Sequence, residues 1–232
     1  MSASDLQPTT IALIRHGQTD WNADGKFQGS SDTLLNERGR AQAAEAADWL
    51  ASGAAGTRWD AVRYSPLKRA AETGAIVAQR LSVPLGSPLP ALVERDWGVG
   101  EELISEEIFD RWPEVFTPDN VHIGRNLIPG VEPFDLMVAR GRFALSTLAL
   151  QYPAGNVIAT SHGTVIKFTL LSVLDQPLGY VPNGGVVVMR CRVEGGDLRV
   201  ELVDTSFDQA LPEPYGKWPA GLTHWTPRTQ LT

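Results

Sequence analysis

Cysteine is nearly absent from this sequence, since Cys191 is the single one among 232 residues. One thiol excludes an internal disulfide framework, and its apolar, strand-like surroundings predict an inert thiol in the core. No apolar stretch approaches the roughly 20 residues of a membrane-spanning helix, and residues 1–10 lack the basic and apolar regions of a signal peptide. We therefore predict a cytoplasmic protein with no membrane partner.

Positive charge is also scarce. Lysine and arginine total 20 against 27 aspartates and glutamates, a net charge of −7. This balance argues against nucleic-acid binding, and any anion site must concentrate a few cations locally. A hydrophobic content of 43%, without low-complexity linkers or repeats, suits one globular α/β unit. We predict a single domain over residues 1–232, with a core at about 9–205 and a C-terminal extension at 206–232.

A short apolar run at the start of the chain ends in a charged tripeptide. The run Ile11–Ile14 precedes Arg15, His16 and Gly17. Such branched-residue runs are typical of buried strands, and we predict a strand at about Thr9–Arg15. Ligands of open α/β sheets bind at the carboxyl edge of the strands, and glycine permits a sharp turn there. The pattern places a cation and an imidazole together at that edge.

Two later segments should deliver polar side chains to the same edge. A predicted strand at Asn156–Thr160 is followed by Ser161, His162 and Gly163. Another at Ala61–Tyr64 is followed by Ser65 and Pro66, an N-cap and first-turn proline that predict a helix running to about residue 81. Arg69 then falls in the first turn of that helix. We expect these side chains to converge with the first histidine.

Strands alternate with helices along the rest of the chain, which predicts α/β layers around a mainly parallel sheet. The periodicity is weak from Ile108 to Pro129, where we predict mixed helix and loop. The remaining predicted elements are helices at Asn36 to about Leu50, Pro133–Leu150 and Val165–Leu174, and a hairpin of Val186–Val193 with Leu198–Val203.

The converging residue types suit phosphoryl transfer. Arg15 and Arg69 can clamp phosphoryl oxygens, with His162 as a further donor. A neutral nitrogen of His16 can attack phosphorus and form a phosphohistidine, while the positive cluster stabilises charge without a metal. Glu94 is the candidate that protonates the leaving oxygen and then deprotonates water, although the acidic stretch at 101–107 holds competing glutamates.

Several alternatives stay open at this point. The two histidines could ligate a metal together with a carboxylate, but an adjacent arginine disfavours a bound cation. We therefore predict no metal and no cofactor. Thr19 and Asn22 can donate further hydrogen bonds to an anion. Trp97 could contact a ligand, although ordinary packing is the favoured interpretation.

Six segments together resemble the histidine phosphatase superfamily, the phosphoglycerate-mutase-like proteins. The resemblance spans about residues 11–190, and the order and spacing of the segments are highly specific. The segments are Arg15–Asn22, Phe27–Gly29, Leu35–Ala43, Tyr64–Thr73, Glu94–Gly98 and Ser161–Gly163.

This resemblance implies a three-layer α/β/α sandwich and a metal-independent reaction on a small phosphorylated metabolite. It implies His16 as the phosphorylated nucleophile, surrounded by Arg15, Arg69 and His162, with Glu94 as the proton donor. Because family members often form dimers, a homodimer is one expected assembly. The substrate-binding candidates are Thr19, Asn22, Gln28, Gly29, Trp97 and Gly163.

Two departures from the family pattern bear on the activity. Cofactor-dependent mutases of the family carry a longer, more basic insertion, whereas here 67 residues lie between Glu94 and His162. This favours a phosphatase, with a phosphoglycerate mutase as the alternative and a catalytically silent phosphate-binding or scaffold protein as the least favoured hypothesis. Residues 129–133 also lack the serine of the Gly-Gly-Glu-Ser-like segment found in many of the phosphatases.

Overall fold

The computed structural model describes residues 7–53, 58–116, 124–174 and 178–208. Its strands are β1 Thr9–Arg15, β2 Ala61–Tyr64, β3 Leu85–Pro88, β4 Asn156–Ser161, β5 Val186–Glu194 and β6 Asp197–Thr205. Its helices are α1 Asp20–Ala23, α2 Glu37–Ala51, α3 Lys68–Leu81, α4 Ser105–Arg111, α5 Phe134–Gln151 and α6 Gly163–Leu171. Short 3₁₀ turns occupy Pro90–Leu92, Gly98–Gly100, Pro113–Phe116 and Gly124–Leu127.

The six strands form one sheet in the order β3-β2-β4-β1-β5-β6. β3, β2, β4 and β1 run parallel to their neighbours, whereas β5 pairs antiparallel with β1 and β6 antiparallel with β5. The predicted hairpin turns at Gly195 and Gly196, which both have positive φ angles that glycine adopts without strain. The mainly parallel sheet is therefore confirmed.

Alternate residues of β1 face opposite layers of helices. Ile11 and Leu13 pack into a core with residues of α5 and α6 on one face of the sheet. Ala12 and Ile14 pack into a second core with residues of α2 and α3 on the other face. Because side chains alternate along a strand, a continuous apolar run implies burial on both faces. The three-layer α/β/α arrangement is confirmed.

Two predicted helix starts were wrong. α3 begins at Lys68, after an N-cap at Leu67 that makes no side-chain hydrogen bond, instead of being capped by Ser65. The Ser65 hydroxyl instead lies 2.7 Å from Nε2 of His162, a tertiary contact that local sequence does not reveal. α6 begins at Gly163, two residues before the predicted start, because His162 takes the N-cap position.

The sequence did not predict β3, which precedes the weakly periodic segment, and a small third core is built largely from that segment. β3 is mostly exposed at the edge of the sheet and lacks the alternation that marks a half-buried strand. The third core contains Trp97, Ile108, Val115 and Ile128. Most of the predicted C-terminal extension lies outside the described residues. None of the helices in the described ranges combines the length and hydrophobicity needed to cross a membrane.

Candidate active site

Sheet pairing brings the two predicted site histidines together. In the parallel register of β1 and β4, Arg15 is the partner of Ser161, so the next residue of each strand is a histidine at the carboxyl edge. The backbone N–H of His16 donates to the carbonyl of Ser161 at 2.9 Å. The ring centroids of His16 and His162 are 5.1 Å apart. Both rings are buried.

Hydrogen bonds on both ring nitrogens fix the tautomer of His16. Nδ1 lies 2.7 Å from the carbonyl oxygen of Gly17, which can accept a hydrogen bond but not donate one. Nδ1 therefore carries the proton. Nε2 accepts from Nε of Arg69 at 3.3 Å, so the lone pair of the neutral ring lies at Nε2. Burial and the charges of Arg69 and Arg15 hold the pKa of His16 well below its usual value.

Arg69 is fully buried, and three hydrogen bonds fix its guanidinium. Besides the bond to His16, Nη1 donates to the carbonyl of Ser31 at 2.7 Å and Nη2 to that of Gly29 at 2.8 Å. Burial lowers the pKa of Arg69 to about 10, opposed by the negative charges of Glu94, Asp32 and Glu101. The side chain stays cationic at neutral pH and is held rigidly beside the nucleophile candidate.

Arg15 enters the site from the end of β1. Its Nη1 donates to the hydroxyl of Tyr180 at 2.5 Å and to the carbonyl of Val181 at 2.8 Å. The guanidinium also lies over the ring of Tyr180, 5.3 Å from its centroid. A Cβ at Gly163 would lie 3.0 Å from Nε of Arg15. Glycine at 163 therefore lets the guanidinium lie against the start of α6.

His162 completes the group of buried donors. Its Nε2 lies 2.7 Å from the Ser65 hydroxyl, and its Nδ1 has no hydrogen-bond partner among the described residues. Burial, followed by the charge of Arg69, keeps the pKa of His162 well below its usual value. The ring is therefore neutral at neutral pH, with one nitrogen able to carry a proton toward a ligand.

Glu94 lies at the amino-terminal end of α6. Its carboxylate oxygens accept from the backbone N–H groups of Thr164 at 3.2 Å and Val165 at 3.3 Å. Arg140 holds the backbone behind it, donating to the carbonyls of Val93 at 2.6 Å and Glu94 at 3.0 Å. The negative charge of Glu94 also acts on the Arg69 guanidinium, which places the proton-donor candidate near that arginine.

A cleft of about 460 Å³ opens beside Glu94. Arg140 is the one cation among the described residues that line it, and Arg140 forms a two-point ion pair with Glu132. Three carboxylates, those of Glu94, Asp96 and Glu132, also line this space. The remaining lining residues are Ser30, Leu67, Val93, Gly130, Val131 and Pro133.

The sequence pattern of the Histidine phosphatase superfamily (branch 1) matches residues 11–203 of this chain. The chain belongs to the histidine phosphatase superfamily. It is 32% identical over 165 residues to the uncharacterized phosphatase PhoE of Bacillus subtilis (strain 168), covering 71% of this chain and 77% of that protein. It is 33% identical over 190 residues to the metal-independent phosphoserine phosphatase of Arabidopsis thaliana, covering 81% and 79% of the two proteins.

A solved structure shares the fold of this chain. YhfR of Bacillus stearothermophilus superposes with a TM-score of 0.71 at 26% identity, covering 84% of this chain and 96% of that one. The family expected from the motifs is therefore confirmed, together with its fold.

Three of the predicted substrate-binding residues bond to one another around α1. The Thr19 hydroxyl donates to Oε1 of Gln28 at 3.0 Å, and Oδ1 of Asn22 accepts from the Thr19 backbone at 3.2 Å. Nδ2 of Asn183 also donates to Oδ1 of Asn22 at 3.1 Å. These bonds shape the loop after the nucleophile candidate, and direct substrate contact by these side chains stays a prediction.

Trp97 packs inside the third hydrophobic core instead of joining the histidines. Its side chain is 3% exposed and meets Phe27 edge-on at 4.8 Å between ring centroids. The Arg95 guanidinium lies over its ring, 4.9 Å from the ring centroid. This placement agrees with the packing interpretation, and substrate contact by Trp97 remains an untested prediction.

The sequence did not identify several residues that fix the backbone of the site by hydrogen bonds. The Thr73 hydroxyl accepts from the backbone N–H of Gly17 at 3.1 Å, and Nδ2 of Asn183 donates to the carbonyl of His16 at 3.0 Å. Thr73 was detectable, since it follows Arg69 by one helical turn. Tyr180 and Asn183 come from a loop that no local pattern links to the first strand.

Proposed function

We propose that this chain is a metal-independent phosphatase that hydrolyses a small phosphorylated metabolite through a phosphohistidine. The observation that carries this proposal is the geometry of His16. Its Nδ1 is committed to the carbonyl of Gly17, and its Nε2 lone pair lies beside the Arg69 guanidinium. A nucleophilic nitrogen and an anion-binding group therefore share one location.

In the first step, Nε2 of His16 forms a bond to phosphorus as the bond to the ester oxygen breaks. Glu94, in its protonated form, gives its proton to the leaving oxygen, so an alcohol departs. In the second step the Glu94 carboxylate takes a proton from water, and the water oxygen attacks phosphorus. The N–P bond breaks, Nε2 regains its lone pair and inorganic phosphate leaves.

The buried donors supply the charge stabilisation for both steps. Arg15 and Arg69 offer planar guanidinium groups to the peripheral phosphoryl oxygens, and His162 adds a ring nitrogen. These groups are already held by neighbouring carbonyls and hydroxyls. Because they are fixed before a ligand arrives, they require little reorganisation during the reaction.

The cleft beside Glu94 supports a phosphatase over a bisphosphate-dependent mutase. A second phosphate would meet Glu94, Asp96 and Glu132, while the cation Arg140 is already paired with Glu132. Like charges at close range disfavour such a ligand. The names of the Bacillus and Arabidopsis relatives point the same way, and they make phosphoserine a substrate to test first.

The test is phosphate release from a panel of monoesters, including phosphoserine, a nitrophenyl ester and both phosphoglycerates. The wild type is compared with His16→Ala, each with and without a chelator. We expect release by the wild type that the chelator leaves unchanged and that His16→Ala abolishes. Interconversion of 2- and 3-phosphoglycerate without release would establish a mutase instead. Phosphate binding without either reaction would favour a silent binding protein.

A further inference from the structure

The Glu101 carboxylate is bound by two consecutive serines. Oε1 accepts from the backbone N–H of Ser30 at 2.7 Å and from its hydroxyl at 3.0 Å. Oε2 accepts from the backbone N–H of Ser31 at 3.0 Å and from its hydroxyl at 2.5 Å. Four donors on one carboxylate fix the loop at residues 29–31 strongly, because hydrogen bonds to a charged acceptor are stronger than neutral ones.

The opposite side of the same loop holds the buried arginine. The carbonyls of Gly29 and Ser31 accept from Nη2 and Nη1 of Arg69 at 2.8 and 2.7 Å. With both terminal nitrogens held, the remaining Nε–H is directed at Nε2 of His16. The position of the Arg69 guanidinium therefore depends, through the loop, on the position of the Glu101 carboxylate.

Glycine at position 29 is needed for this arrangement. Its φ angle is +51°, a conformation that other residues adopt only with strain. A Cβ at this position would lie 2.1 Å from Oε1 of Glu101. Any side chain at position 29 would displace the carboxylate from the loop.

We propose that Glu101 is a positioning residue for phosphoryl transfer: its carboxylate fixes loop 29–31, and the loop carbonyls orient Arg69 toward His16. This inference rests on the proposed function, which gives Arg69 and His16 their chemical roles. Glu101 is half-buried at the edge of the site, so its contacts serve the loop more than the hydrophobic core. Its negative charge also favours the protonated form of the buried arginine.

The experiment compares Glu101→Ala and Glu101→Gln with Glu102→Gln, which removes the same charge from the adjacent, exposed residue. Binding of inorganic phosphate is measured by calorimetry, and ester hydrolysis is followed from pH 4 to 9. For Glu101→Ala we expect a loss of about 10–100-fold in phosphate affinity and kcat/KM, the scale seen when a supporting contact is lost or a reacting group is displaced by about 1 Å. The phosphate affinity and kcat/KM of Glu101→Gln should lie between those of the wild type and Glu101→Ala, because its amide keeps one acceptor oxygen. Glu102→Gln should match the wild type in both.

The pH profile separates positioning from a general loss of stability. If Arg69 moves away from His16, the pKa of His16 rises toward its usual value, and the acidic limb of the rate profile shifts to higher pH. The Glu102→Gln profile should not move. Loss of folded protein alone would lower the rate at all pH values without shifting this limb.

Two results overturn the proposal. One is a Glu101→Ala protein with wild-type phosphate affinity and an unshifted acidic limb, and the other is an equal loss in Glu102→Gln. If Glu101→Ala does not fold, Glu101→Gln decides by the same criteria. If the wild type hydrolyses no ester, the proposed function is wrong, but this result does not test the role of Glu101. Phosphate calorimetry on the same variants then still decides whether Glu101 positions Arg69.

Discussion

Nε of Arg69 donates to Nε2 of His16 across 3.3 Å, so a buried cation faces the ring nitrogen that carries the lone pair. Burial of the ring and the charge of Arg69 lower the pKa of His16 and so favour its neutral form, the form that the proposed mechanism requires. In the proposed mechanism, Arg69 also offers guanidinium donors to the oxygens of the phosphoryl group. In that mechanism, one arginine therefore serves both the nucleophile and the group that it attacks.

Arg69→Lys should lower kcat/KM strongly, because an ammonium cannot reproduce the fixed fork that bonds to two loop carbonyls and His16. We expect a loss of about 10²–10³-fold, comparable to removal of one preorganised oxyanion donor. Steady-state phosphate release measures it. Arg80→Lys in the same helix, at an exposed ion pair with Asp48, is the matched control and should retain full activity. Equal rates for the two variants would contradict the role of Arg69.

Stability should fall as the pH drops below the ordinary histidine value of about 6.5. The pKa values of His16 and His162 are both lowered in the folded protein, so the unfolded chain binds more protons below that pH. The contribution of these two histidines to the free energy of unfolding is therefore fully present above pH 6.5. It is lost as the pH falls toward their folded-state pKa values. Each histidine contributes up to about 1.4 kcal/mol per pH unit in that window. Urea unfolding at a series of pH values measures the slope.

The variant His162→Gln isolates one of these two contributions. Removing one buried titrating ring should reduce the slope of the free energy of unfolding against pH between 6.5 and the lower folded-state pKa values. Carboxylates contribute equally to both proteins at the acidic end, so the difference between the two curves reports the histidine. Identical slopes for wild type and variant would show that His162 is not held neutral.

The site residues at the strand ends could be predicted from the sequence, because each strand is marked by a local apolar run. The observed bounds of β1 match the predicted Thr9–Arg15, and the structure brings His16, His162 and Arg69 together as the alternation of strands and helices implied. Parallel strands share a carboxyl edge, so local patterns sufficed to predict this convergence.

The supporting residues were not readable, because they depend on contacts between distant parts of the chain. Ser65 looked like a helix cap, yet its hydroxyl pairs with His162, 97 positions away in sequence. Glu101 looked like one of several glutamates that compete with Glu94 for the proton-donor role, although it binds Ser30 and Ser31 across about 70 positions. No local periodicity encodes such pairs, since their partners are set by loop conformation.

Arg140→Ala should impair proton donation by Glu94. Arg140 bonds to the carbonyl of Glu94 and forms a two-point ion pair with the partly buried Glu132. Removing Arg140 leaves the partly buried carboxylate of Glu132 without its ion-pair partner. We expect this to lower the free energy of unfolding by about 2–4 kcal/mol. Hydrolysis of alkyl phosphates should fall more than that of a nitrophenyl ester, because a good leaving group needs less protonation.

Arg142→Ala, an exposed position on the same helix, is the matched control for this experiment. Rates on phosphoserine and on the nitrophenyl ester are compared for both variants at one pH. An equal loss on the two esters in Arg140→Ala would argue that the arginine supports the fold without positioning the acid.

Cys191 should not react with thiol reagents in the folded protein. Its side chain is fully buried in β5, and burial raises the pKa of the thiol to about 12, so almost no thiolate forms at neutral pH. Titration with a disulfide reagent should yield no reaction under native conditions and one equivalent in denaturant. Rapid native modification at a rate independent of unfolding would contradict the buried position.

The most direct test of the mechanism is to trap the phosphorylated enzyme. Wild type and His16→Ala are mixed with a labelled phosphomonoester, quenched in base within milliseconds and digested for mass spectrometry. We predict one phosphoryl group on Nε2 of His16 that is stable in base and lost in acid, with none in the variant. Steady-state turnover without any label on His16, or label on another residue, would contradict the phosphohistidine mechanism.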